Sequence, residues 1–490
     1  MKRLNFGLFA VFLLLSACKI GPNYSRPPAP APPAFKEQQP EVFKEWKQAH
    51  PNDDVIRGKW WEIYNDPALN ALEEQVNISN QNVLLAEAQF RQARAAVRVS
   101  RAALFPTLSA GPAISAGQGS KNLSPGQISS TSTIGGVSGV RTEYFLPLDV
   151  SWTPDLWGSI RRNITSTVAL AQASAAQLEN AKLSFQALLA QDYFSMRGLD
   201  AEQKFFTEMV AADREILELT RFRYQTGVAS EGDVAQAETQ LKTTEAQLVD
   251  LGVQRAELEH AIAILTGKAP AEYSARQAPL TATPPGVPVA LPSELLERRP
   301  DVAAAERQMA STNEQIGIAK AAYYPTVTLS ASAGLESSSF KDWFTWPSRF
   351  WSAGPQASQT ILDFGRRGGQ VQETQAAYEA AVATYRQTVL TAFQQVEDNL
   401  AALRILEEES KLQEQAVRAA RESLRVTTEQ YRTGVANYLQ VLTSQTAVLS
   451  TQSTAISIQT RRMTASVLLV EALGGGWNAS QLPTPADLRP

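Results

Sequence analysis

YRTGVANYLQVL, Tyr431 to Leu442, reads as a helical sequence interrupted by Thr-Gly-Val. A near-copy, YQTGVASEGDVA, occupies Tyr224 to Ala235, 207 residues earlier. Two long helices broken the same way point to a chain that repeats itself.

The repeat extends outward from these breaks. NVLLAEAQFRQ from Asn82 parallels DVAAAERQMAS from Asp301, and Phe105-Pro106-Thr107 parallels Tyr324-Pro325-Thr326, both at an offset of 219. Beyond the prolines the offset becomes 207, and Trp157-Gly158 matches Phe364-Gly365. The 12-residue difference is expected in a longer loop of the first copy, because loops tolerate insertion best. Each copy reads helix, two strands, long helix, break, helix. Asp66-Pro67 and Arg299-Pro300-Asp301 place proline in a first helical turn with an acid nearby.

Tyr378, Val382, Tyr385, Val389, Phe393, Val396, Leu400 and Leu403 recur at 4-3 spacing, the seam of a left-handed coiled coil. Ser159 to Thr226 is 68 residues, about 100 Å if continuously helical. Asn70 to Leu104 and Gly232 to Thr266 are 35 each, so stacked end to end they would equal the long helix. Such a bundle is built to span something.

The strands alternate. Tyr144, Leu146, Leu148, Val150 and Trp152 share one face; Val327, Leu329, Ala331, Ala333 and Leu335 share another. Leu108, Ala110, Ile114 and Ala116 supply a weaker apolar face, and Trp351, Ala353, Pro355 and Ala357 begin a fourth. Tyr144 and Trp152 lie eight residues apart, about 26 Å along an untilted strand, which suits interfacial aromatics at the two edges of a membrane. Amphipathic hairpins packed on soluble helices share this periodicity. Four strands cannot close a membrane barrel, and an open edge in lipid leaves backbone groups unpaired at several kcal/mol each. Membrane strands here therefore require an obligate oligomer, of two chains or three.

The chain of 490 residues carries 44% hydrophobic and 19% charged residues and a net charge of −4. That balance gives no basic surface for nucleic acid. Two histidines, His50 and His260, and a single cysteine, Cys18, leave little for a metal cluster or a Cys/His catalytic pair, and no phosphate-binding GxxxxGK[ST] loop occurs. The acids, including the run Glu407-Glu408-Glu409, fall in helical heptads as solvated faces, so no catalytic residue, metal ligand or cofactor is expected. MKRLNFGLFAVFLLLSAC has two basic residues, an apolar run from Phe6 to Leu15 and small residues before Cys18, the pattern of an export signal over 1–17. Leu15-Ser16-Ala17-Cys18 looks like a bacterial lipobox, which makes Cys18 the lipidated first mature residue. By similarity to bacterial lipoproteins, Lys19 at the next position favours the outer membrane.

In order, CKIGPNY at Cys18, WWEIYNDPALNALEE at Trp60, LLERRPDVAAAERQM at Leu295, the FPTL and YPTV strand starts, the paired YxTGVA breaks and EALGGGW at Glu471 resemble the outer-membrane factors. These are TolC-like exit ducts, and the lipid-anchored NodT-like branch is the nearest in pattern. The resemblance covers almost the whole mature chain. It implies a mainly α fold with membrane β: an internally duplicated chain giving four strands to a trimeric twelve-stranded barrel, coiled-coil helices forming a periplasmic α-barrel, and a mixed equatorial region. The segments are then a signal at 1–17, a lipid anchor and Pro-rich tether at 18–54, a first repeat at 55–266, a linker at 267–292, a second repeat at 293–473 and an equatorial tail at 474–490.

The implied function is the passive outer-membrane duct of a tripartite efflux pump, held in outer-membrane lipid. Its partners are two sister chains, a periplasmic adaptor and an inner-membrane transporter of the proton-driven kind. A type I protein-secretion duct and a non-pore coiled-coil lipoprotein are the alternatives. The breaks become hairpin turns at the tunnel tip, with Gly227, Val228, Gly434 and Val435 meeting the adaptor. Leu439, Gln440 and Thr443 match the constriction, where neutral Gln440 and Thr443 stand in place of the acids common in the family; weak cation selectivity is expected. Tyr431 and Asp233 match a tyrosine–aspartate latch between neighbouring hairpins.

Overall fold

Two copies of one series of elements make up the chain. The computed structural model describes residues 19–29, 32, 35–37, 58–118, 140–286 and 297–488; Cys18 lies outside them. The first copy runs α1 (Pro67–Ser79), α2 (Gln81–Ala102), β1 (Thr107–Ala110), β2 (Ala113–Gly117), β3 (Arg141–Trp152), α3 (Ser159–Gln225) and α4 (Glu231–Leu265). The second runs α5 (Pro300–Ala321), β4 (Thr326–Ser337), β5 (Arg349–Ser358), α6 (Arg366–Thr433) and α7 (Tyr438–Ala472). Helices α2 and α5 have 22 residues each, α3 and α6 have 67 and 68, and α4 and α7 have 35 each. At 1.5 Å per residue the long helices reach about 100 Å.

The expected unbroken first helix, Asn70 to Leu104, is divided. Asn80 is extended, its carbonyl oxygen Oδ1 accepts from the Asn82 and Val83 amides at 2.9 and 3.2 Å, and it starts α2 as an N-cap. Its Nδ2 also donates to the Leu265 carbonyl at 2.9 Å, which joins the start of α2 to the end of α4. The second copy makes the same joint with another residue: Arg299 Nη1 donates to the Ala472 carbonyl at 2.9 Å, joining α5 to α7. Gly267 and Gly474 both take positive φ there, +72° and +93°. A Cβ would lie 2.3 Å from the Ser79 carbonyl oxygen at the first and 2.0 Å from that of Arg298 at the second. Each pair of short helices thus continues as one rod beside a long helix.

The strands form one antiparallel sheet in the order β1/β2, β3, β4, β5. Both β1 and β2 pair with β3 in a single register, Thr107 opposite Ser151 and Ala113 opposite Phe145. They are one strand interrupted at Gly111-Pro112, where proline has no N–H to donate. The four strands expected from sequence are therefore present, the first in two pieces.

Register fixes the faces. Leu108 lies opposite Val150, Val150 opposite Ala331, and Ala331 opposite Ala353. All four apolar sets read from the sequence fall on one side. Ser109, Asp149, Ser332 and Ser352 form a corresponding row on the other. Leu108, Ile114, Leu148 and Trp351 are exposed, so among the described residues no other helix or strand covers the apolar face.

The helical core is the coiled-coil seam. Tyr385, Val389, Phe393, Val396, Leu400 and Leu403 are buried, with Tyr378 and Val382 half-buried beside them. Across it lie Leu189, Tyr193 and Met196 of α3 and the plug of Trp60, Trp61 and Tyr64. The N-terminal segment expected to be a tether is packed where it is described. Arg162, fully buried, donates Nη1 to the Pro22 carbonyl at 3.0 Å and pairs with Glu314 at 2.8 Å. Tyr24 bonds Glu306, Arg26 bonds the Tyr385 hydroxyl, and Phe35 is buried against Phe393. Proline stiffens this strap, but side chains spaced along it tie it to both repeats. Residues 275–282 of the inter-repeat segment are bound similarly, for example Leu280 N–H to the Arg197 carbonyl at 3.0 Å.

Candidate functional site

The two helix breaks are the same turn. Val228 N–H bonds the Arg223 carbonyl at 2.9 Å and Val435 N–H bonds that of Gln430 at 2.8 Å, the six-residue closure of a Schellman end. Gly227 and Gly434 carry the left-handed φ, +76° and +85°. Ser230 caps the next helix in the first hairpin and Asn437 in the second, each accepting from an amide at 3.1 Å. Both turns thus point two valines outward: Val228 is 63% exposed and Val435 78%.

Tyr431 and Asp233, expected as a latch between neighbouring hairpins, do not bond each other within the chain. The Asp233 carboxylate accepts from the Ser230 amide and hydroxyl, both at 2.9 Å, completing a capping box within its own hairpin. Tyr431 is buried between the hairpins and donates instead to Thr220 Oγ1 at 3.0 Å. The Arg223 guanidinium lies 4.5 Å from its ring centroid and donates to its carbonyl. Hairpin meets hairpin through Tyr431, Thr220 and Arg223. Local capping captured the aspartate, since it stands three residues beyond Ser230.

Leu439, Gln440 and Thr443 lie on one exposed face of α7, with Leu439 58% exposed. Tyr438, Val441 and Val448 fill the opposite, packed face. The three constriction candidates are free to line a space, and none is ionisable.

Sequence reading missed a buried carboxyl above the tip. Asp213 accepts from Thr244 Oγ1 at 2.7 Å and from Gln445 Nε2 at 2.8 Å, which ties α3 to α4 and α7. Burial raises its pKa, and the hydrogen bonds from Thr244 and Gln240 only partly offset that. The signal was present in the spacing: Met209, Asp213, Ile216 and Thr220 follow the 4-3-4 rhythm that places a polar residue in an apolar seam.

At the sheet, Tyr144 meets the rings of Phe340 and Trp343 at 5.7 and 5.4 Å. Trp152 Nε1 donates to the Leu104 carbonyl at 3.0 Å at the end nearer the helices, where Trp157 stacks on Tyr324 at 4.9 Å. The apolar face is therefore bounded by aromatic groups at both ends. Among the described residues no helix is long and apolar enough to cross a membrane, and no group of three or more His, Cys, Asp or Glu could hold a metal ion.

Comparison with known proteins agrees with this geometry. The profile of the family described as "Outer membrane efflux protein" matches residues 72–268 and 291–475. The antibiotic efflux pump outer membrane protein ArpC of Pseudomonas putida is 30% identical over 97% of this chain and 96% of its own length. Nodulation protein T of Rhizobium leguminosarum bv. trifolii is 31% identical over 80% of each chain. Among solved structures, the outer-membrane channel OprN is similar with a TM-score of 0.84 and 28% identity, over 94% of this chain and 100% of that one.

Proposed function

The chain belongs to the outer membrane efflux protein family, and from that premise we propose that it is the outer-membrane exit duct of a tripartite efflux pump. The sheet carries the reading: one face is apolar, the other is rich in serine, threonine and glycine, and neither outer edge has a partner strand among the described residues. Such a sheet is stable in lipid only when sister chains pair its edges. Three chains close twelve strands around the polar face, and the helices of about 100 Å continue the passage into the periplasm. A lipid on Cys18 anchors the strap, whose first described residues bind beside Trp157 and Arg162 at the foot of the sheet. The tip valines meet a periplasmic adaptor, and a proton-driven inner-membrane transporter supplies the energy.

Reconstitution in a planar bilayer tests the duct: discrete conductance steps from heat-resistant trimers support it, and a non-conducting monomer refutes it. The constriction gives a sharper test. Leu439, Gln440 and Thr443 put an apolar and two neutral rings around the axis, so the wild-type channel shows weak cation preference in a salt gradient. Gln440→Asp adds three carboxylates and shifts the reversal potential toward cation selectivity. A strong wild-type preference that Gln440→Asp leaves unchanged would place the constriction elsewhere.

A further inference from the structure

Four aromatic residues crowd the turn between β4 and β5: Phe340, Trp343, Phe344 and Trp346. This turn lies at the end of the sheet farthest from the helices. Trp343 is buried, while Phe340, Phe344 and Trp346 are 64%, 65% and 75% exposed. Three large exposed rings in an eleven-residue turn (338–348) need a partner that the described residues do not supply.

Register tells which way the turn leans. Tyr144 lies opposite Ser337, on the same face as Leu335, Leu146 and Leu148. Phe340 and Trp343 pack on the Tyr144 ring, and Trp343 Nε1 donates to the Leu335 carbonyl at 3.4 Å. The turn is thus folded onto the apolar face of the sheet and away from the polar face that would line the pore. Two short helical turns, Phe340–Asp342 and Trp346–Ser348, hold it there, and Thr345 and Ser348 hydroxyls both donate to the Asp342 carbonyl at 2.6 Å. Arg349 lies opposite Leu335 on the apolar face and places its guanidinium over the Trp346 ring, whereas Glu143 and Glu336 fall on the polar face.

We propose that the 338–348 turn is a membrane anchor that inserts its aromatic rings into the interfacial zone of the outer leaflet, with Arg349 reaching the headgroup phosphates. Aromatic side chains favour that zone because an apolar ring and a polar edge are both satisfied there. Arg349 Nε donates to the Trp346 carbonyl at 2.9 Å, which fixes the guanidinium beside the ring and leaves its two terminal nitrogens for phosphate. The inference rests on the sheet being inserted in a bilayer, as the duct reading requires. It assigns this turn to the lipid and not to a lid over the pore.

The full-length protein, reconstituted in phosphatidylcholine vesicles, carries p-acetylphenylalanine at position 344, 148 or 242 in separate preparations, each coupled to a nitroxide. Collision rates with oxygen and with a water-soluble nickel chelate report the surroundings. Position 148 shows whether the sheet is in lipid, and exposed position 242 on α4 is the aqueous reference. The expected result is an oxygen-to-nickel ratio several-fold higher at 344 than at 242, with 148 higher still. A lipid-like 148 with a water-like or collision-shielded 344 overturns the anchor alone. A water-like 148 overturns the inserted sheet and the anchor with it.

Discussion

Asp213 is a carboxyl that this fold holds at a cost. An unfolded aspartate titrates near pH 3.9, and burial raises the folded value above that. The folded chain then binds more protons than the unfolded chain between the two values. Its stabilising contribution is complete below about pH 4 and is lost as pH climbs through the raised value. In Asp213→Asn the side-chain oxygen still accepts from Thr244 or Gln445, but nothing titrates. The variant is expected to lose that part of the pH dependence and to be at least as stable as wild type at neutral pH. Thermal unfolding of the detergent-solubilised protein across the acid range, followed by circular dichroism, reads this directly. A variant whose profile keeps the wild-type slope would assign the slope to other groups. The residue scale also shows why Tyr431 and Asp233 do not bond each other within one chain. Motif position gives a residue's neighbourhood along the helix, but Ser230 competes for the Asp233 carboxylate at a separation of three residues, with no chain-closure cost.

At the scale of elements, the end-to-end joints decide whether two short helices act as one rod. Asn80 performs two tasks, capping α2 and satisfying the Leu265 carbonyl. Asn80→Ala removes both and is expected to cost about 2 kcal/mol, one part from the cap and one from the orphaned carbonyl. Hydrogen exchange should report it as faster exchange in peptides covering 76–84 and 262–267, with the second joint at Arg299 and Ala472 unchanged. Equal loosening of both joints would mean that the rods melt as a unit. Most elements were legible in the sequence because their signals are periodic: the seam of α6, the alternation of β3 and β4, and the two glycine turns. The break at Asn80 was not, because Asn-rich NISNQN carries no glycine or proline, and a tertiary bond to Leu265 fixes its geometry. The packed strap was hidden for the same reason. Its proline content describes stiffness, while its position depends on Arg162, Glu306 and Tyr385, 140 to 359 residues away.

For the whole molecule, the question is which face of the sheet meets lipid, and neighbouring residues of β3 answer it. Leu148 lies at mid-sheet between Ala110 and Ala333 on the apolar face, while Asp149 lies between Ser109 and Ser332 on the polar face. Arginine at the centre of a lipid-facing strand costs about 2–4 kcal/mol per chain, so three sister chains multiply a modest penalty into failure of insertion. Leu148→Arg is therefore expected to abolish trimers in the outer-membrane fraction while the soluble helical portion keeps its secondary structure. Asp149→Arg changes the charge by a larger step but only one residue away, in water, and is expected to assemble normally with altered ion preference. Heat-resistance of trimers on gels, run for both variants beside wild type, separates a lipid-facing row from a lumen-facing one. If Asp149→Arg fails and Leu148→Arg assembles, the barrel closes with the opposite face outward, and the polar row could not line the passage that efflux requires.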